Sequence, residues 1–158
     1  MAIVQHRRPD ESSLLRELLA RKARLPVCEP CHGAPIQPGH VYLAPPDYHL
    51  LVEPGYIAMS VDPPIACSRP SIDALFESAA AAYRARAIGV VLTGANADGA
   101  RGAARLAAAG AAVIVQDPNT AEARACPSAA LARVPNATVL QLADIAAHLV
   151  DLCSAERH

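Results

Sequence analysis

The stretch IGVVLTGANADGARGAARLAAAGAAVIVQ, Ile88 to Gln116, decides the fold. IGVVLT (88–93) is an unbroken apolar run and reads as a fully buried strand. A glycine-rich bend with one acid, Asp98, follows it. Ala100 to Ala109 then reads as a helix that stops at Gly110, and AAVIVQ (111–116) is the next strand. Strands alternating with helices imply a parallel sheet covered on both faces.

The alternation continues outward. SIDALFESAAAAYRARA is a helix capped by Ser71, with Asp73 in its first turn and arginines in its last. Downstream, Pro127 starts a short helix, ATVL is a small strand, and LADIAAHLVDLC is an amphipathic helix. Leu142, Ile145, Ala146, Leu149, Val150 and Cys153 are expected to share its apolar face. Upstream, AIVQ (2–5) is a short buried strand ending at His6. SSLLRELLARKARL follows as a helix capped by Asp10 or Ser12, with Leu14, Leu15, Leu18 and Leu19 as its stripe. Between Val27 and Val61, prolines and glycines punctuate short alternating runs. VYLA (41–44), HLLV (49–52) and YIAMSV (56–61) read as small antiparallel strands, and DPPIACSRP as an irregular loop ending at Ser71. The expected fold is a three-layer α/β sandwich with a mostly parallel sheet and a small antiparallel hairpin region.

Composition narrows the function. A chain of 158 residues suits one domain with a modest core. Fourteen basic against fifteen acidic residues give no electrostatic grip on nucleic acid or anionic lipid. No apolar run is long enough to span a bilayer and no basic-then-apolar leader opens the chain, so a cytoplasmic location is expected. Five cysteines without framework spacing fit reduced thiols.

The glycine bend admits three readings. Gly94 and Gly99 have the G-x-x-x-x-G separation of a phosphate loop, but Ala100 and Arg101 stand where Lys and Ser or Thr are needed. The intervals of Gly94, Gly99 and Gly102 also miss the dinucleotide fingerprint. A second reading is a plain strand-to-helix turn with Asp98 as the helix cap. In the third, Asp98 stands at the carboxyl end of a parallel strand, the edge where open α/β sheets place ligand sites. His6 follows another apolar strand and falls on the same edge. A carboxylate bonded to one imidazole nitrogen fixes the tautomer and leaves the other nitrogen as a base. An Asp and a His so placed are two-thirds of a hydrolytic triad.

A wider pattern joins these residues. IVQH (3–6), PGHVYLAPPDYHL (38–50), RPSIDALF (69–76), VVLTGANADGARG (90–102) and GAAVIVQDPNTA (110–121) together resemble the catalytic domain of the chemotaxis protein-glutamate methylesterases, in that family's order and over nearly the whole chain. The resemblance implies that His6 is the catalytic base and Asp98 the acid that orients it. It implies hydrolysis of glutamyl methyl esters on methyl-accepting chemotaxis receptors to glutamate and methanol, with related members deamidating receptor glutamine. No metal or organic cofactor is implied, and no nucleic acid or membrane insertion.

Two departures bear on that reading. The family's nucleophile is a serine in a Gly-Ala-Ser-x-Gly-Gly turn, on a strand one helix ahead of the IVQH strand, and the 158 residues contain no such turn. Residues 1–158 are therefore expected to be a methylesterase-like domain lacking its first strand, nucleophile turn and first helix, without a receiver domain, and poorly behaved alone. A non-catalytic receptor- or partner-binding remnant is the alternative. Ala95-Asn96 also replaces the family's Met-Gly just before the acid.

A competing constellation is Cys28-x-x-Cys31-His32, the attachment pattern of c-type haem, with Met59 as a second axial ligand. The same cluster could hold zinc, though one Cys-x-x-Cys without a second pair is weak. The missing export leader argues against haem. His40 and His49 are expected to be hydrogen-bonded structural residues and His148 to be exposed, while Arg69 could steer an acidic receptor surface.

Overall fold

The structure is a computed structural model that describes residues 1–7 and 14–155. The helix cap expected at Asp10 or Ser12 lies outside the described residues. The first half of the chain holds β1 (Ala2–Ile3), α1 (Leu14–Lys22), β2 (Val27–Cys28), β3 (Ala34–Pro35), β4 (Val41–Leu43), β5 (His49–Glu53) and β6 (Tyr56–Ser60). The second half holds α2 (Ile72–Tyr83), a 3-10 turn (Arg84–Arg86), β7 (Ile88–Val91), α3 (Ala100–Ala108), β8 (Ala112–Gln116), α4 (Ala125–Arg133), β9 (Thr138–Leu140) and α5 (Leu142–Ala155).

The mixed α/β fold has two parallel sheets and one small antiparallel sheet. β7, β8 and β9 form a parallel sheet in that order. β1, β4 and β2 form the other, in the order β1-β4-β2. β3, β6 and β5 make the antiparallel sheet. VYLA, expected to be antiparallel, instead lies parallel between β1 and β2. All three residues of β4 are buried, as a strand with neighbours on both edges should be. β7 is not buried throughout as expected. It is the outer strand of its sheet, its residues alternate between buried and half-buried, and Leu92 just beyond it is 42 % exposed.

Central β8 is covered on both faces. Val113 and Val115 join the main core with Leu106 of α3 and Cys126 and Ala130 of α4. Ile114 points the other way by strand alternation and is buried as well, and α5 packs against β8. The inward face of α5 differs from the expected one. Ile145 is buried and His148, Leu149 and Leu152 are half-buried, at the i, i+3, i+4, i+7 spacing of one helical face. Leu142, Ala146, Val150 and Cys153 are exposed, so the true stripe is one centred on Ile145.

Within the described residues, β1 pairs only with β4 and β7 only with β8, so the two parallel sheets present unpaired edges. An apolar cavity of about 370 Å³ reaches from Met1 and Ala2 at β1 to Ile88 of β7, floored by Leu75, Phe76 and Leu106. No helix among the described residues is long and apolar enough to cross a membrane.

Candidate active site

Three loops meet beyond the carboxyl ends of the parallel strands: the segment after β1 that carries His6, the bend after β7 that carries Asp98, and the loop leading into α2. His6 and Asp98, 92 residues apart in sequence, are joined by a 2.7 Å hydrogen bond from His6 Nε2 to Asp98 Oδ2. The imidazole is one-third exposed, whereas the carboxylate has no solvent exposure.

Asp98 is turned away from its own helix. Gly99 caps α3 in the left-handed conformation, with φ near +93°, so the helix-cap role considered for Asp98 does not hold. Its side chain instead enters the N-terminus of α2. Oδ2 accepts the Ile72 backbone N–H at 2.7 Å beside His6, and Oδ1 accepts Ser71 Oγ–H at 2.7 Å and the Asp73 N–H at 3.0 Å. Helix N-termini present free N–H groups and a partial positive charge, which suits an anion. Burial by itself pushes the Asp98 carboxyl upward. The bonds from His6, Ser71, Ile72 and Asp73 outweigh it and hold the carboxyl below its ordinary range. Asp98 therefore stays ionised next to His6.

The surroundings fix both partners. Asn96 Oδ1 accepts the Asp98 backbone N–H at 3.0 Å, a side-chain bond that shapes the bend. Cys126 packs beneath, its thiol 3.1 Å from the Asp98 carbonyl oxygen, and burial together with the nearby Asp98 and Asp73 charges pushes that thiol up to about 11. It is a packed thiol rather than a nucleophile. On the other side, buried Arg7 donates to Glu29 at 2.6 Å and to the Ala44 carbonyl at 3.4 Å, tying the residue after His6 to the β2 and β4 ends. With Nε2 committed to Asp98, Nδ1 is the His6 nitrogen left to take a proton from a nucleophile.

The chain and its fold are similar to known proteins. The family model described as CheB methylesterase matches residues 1–149. The chain belongs to the CheB methylesterase family. The CheB methylesterase catalytic domain of Thermotoga maritima superposes with a TM-score of 0.90 at 30% identity, covering 96% of this chain and 82% of that one. A protein-glutamate methylesterase/protein-glutamine glutaminase of Rhodospirillum rubrum is 37% identical over 154 residues, 95% of this chain and 40% of its own length. One from Rhodopseudomonas palustris, of a group 2 operon, is 36% identical over 159 residues, 98% of this chain and 41% of its own. The chain thus spans about two-fifths of the length of these curated relatives.

Other candidate residues have different tasks in this CheB-type domain. Arg69 is engaged by Asp47 and within its own loop. It donates twice to Asp47 Oδ1, at 3.0 and 2.6 Å, and to the carbonyls of Val61 and Asp62, clamping the loop before α2. His32 Nδ1 accepts the Met59 backbone N–H at 3.1 Å, tying the Cys28-x-x-Cys31-His32 segment to β6. Among the described residues no three His, Cys, Asp or Glu side chains converge as metal ligands. His40 leans on Tyr42, and His49 is buried in β5 and bonded to the α2 loop. Sequence reasoning missed that the capping serine of α2, and the helix start itself, would grip the acid. The adjacent letters RPS-I-D signal a cap but not which carboxylate arrives from 27 residues downstream.

Proposed function

We propose that this chain supplies the base and the orienting acid of a protein-glutamate methylesterase acting on methyl-accepting chemotaxis receptors. A serine hydroxyl attacks the glutamyl ester carbonyl while His6 Nδ1 takes its proton. The imidazolium returns that proton to methoxide, which leaves as methanol. Water, deprotonated by the same nitrogen, then releases the glutamate and restores the serine. Asp98 remains ionised throughout and stabilises the imidazolium. With a glutamine substrate, ammonia leaves in place of methanol.

The 2.7 Å bond between His6 Nε2 and a carboxylate of no solvent exposure carries this reading, because it leaves one nitrogen directed to chemistry. The serine would come from a strand seated between β1 and β7, whose unpaired edges wall the apolar cavity. Such a strand would end beside His6, at the sheet edge where its turn could expose a hydroxyl.

The coding sequence ahead of the Met1 codon provides the test. An in-frame Gly-Ala-Ser-x-Gly-Gly after an apolar run, with methanol released from methyl-esterified receptor by the extended chain, is the expected outcome. A stop codon there, with no methanol released, would put the non-catalytic receptor-binding reading in its place.

A further inference from the structure

The two oxygens of Asp98 are held by different kinds of group. Oδ2 takes His6 and the Ile72 N–H, while Oδ1 takes the Asp73 N–H and the Ser71 hydroxyl. Backbone N–H groups come with any helix start. Ser71 Oγ–H is the side-chain donor on the oxygen turned away from the imidazole. Ser71 has no solvent exposure, and its own backbone N–H is donated to His49 Nδ1 at 3.2 Å. His49 is 1% exposed, and its Nε2 faces the Pro63 carbonyl at 3.3 Å. With Nε2–H donated to that carbonyl, Nδ1 is the acceptor the Ser71 amide needs.

A capping serine needs only an acceptor oxygen. Ser71 Oγ does accept the Ala74 N–H, at a long 3.4 Å. Its single proton goes elsewhere, along a 2.7 Å bond to a buried carboxylate, and capping does not require that bond. We propose that Ser71, seated by His49, is a positioning residue that orients the Asp98 carboxylate and thereby holds His6 in the Nε2–H tautomer. The proposal rests on the reading of His6 as the base, since that tautomer is the one that leaves Nδ1 unprotonated.

The test is the ¹⁵N and ¹H NMR signature of the His6 ring at alkaline pH, which needs neither substrate nor nucleophile. A chain that releases no methanol would sink the catalytic reading and leave this result standing. In the native chain the Nε2–H tautomer should dominate, with its proton shifted downfield by the carboxylate. Ser71→Gly keeps a residue favoured at helix caps but removes the hydroxyl. It should lower the tautomer ratio by about three- to tenfold and move the proton upfield, and Ser71→Thr should restore both. An unchanged ratio and proton shift in folded Ser71→Gly would overturn the proposal, as would a folded Ser71→Thr that behaves like the glycine variant. The unmodified protein gives a reading that does not depend on how a substitution affects folding. The Ser71 hydroxyl proton should exchange slowly enough with water to be observed, and rapid exchange would also overturn the proposal.

Discussion

A buried carboxylate survives only where its oxygens are satisfied, and Asp98 meets that condition with four donors. Its depressed carboxyl links the site to acid stability. A group whose folded value lies below its unfolded one stabilises above the unfolded value, and that stability is lost as pH falls through the folded one. Asp73 has the opposite sign. Burial raises its carboxyl against the bond from Gly102, so its contribution is full in acid and is lost as pH rises through the raised folded value. Mild acidification should therefore relieve Asp73 before it costs Asp98. Asp98→Asn should lose about 2 kcal/mol at neutral pH and flatten the steep acid limb of stability. Urea midpoints collected across the acid range check this, and parallel curves for native and variant would contradict it. His6 and Asp98 were both legible in the sequence, each at a strand end within a recognisable motif. Ser71 was legible only as a cap, because local pattern reports the helix that begins but not the side chain that arrives to meet it.

The element that positions the site is α2, and α3 holds it there. Gly102 permits their approach: a Cβ at that position would stand 2.6 Å from Phe76 Cβ and about 3 Å from the Asp73 backbone. Since those contacts are to the body of α2, the helix must move to relieve them. Gly102→Ala should cost roughly 1–3 kcal/mol and disturb the N–H groups that grip Asp98. A denaturation midpoint unchanged from the native protein would contradict that. The strand–helix–strand unit of residues 88–116 was legible because its apolar runs and Gly110 mark each boundary. β4 was misread because three residues between turns show no preference for parallel or antiparallel partners. The α5 stripe was misread because its apolar arc is wider than the face that docks on β8, and that face includes the polar His148 at its margin.

For the whole molecule, the parallel strands divide into β1-β4-β2 and β7-β8-β9 with an apolar cavity between their facing edges. Unpaired edges beside apolar surface invite association. Residues 1–158 alone should therefore bind a fluorescent apolar dye such as anilinonaphthalene sulfonate, and a chain extended through an upstream strand should lose that binding. Dye fluorescence no higher than that of a closed domain would contradict the proposed strand site. The division of labour between the halves of the chain is nonetheless clear: the first sheet delivers the imidazole, and the second delivers the carboxylate. Methanol release from methyl-esterified receptor, compared between the extended chain and its His6→Ala variant, tests that division most directly. The variant should be slower by roughly a thousandfold or more, and equal rates would show that the imidazole held by Asp98 is not the base.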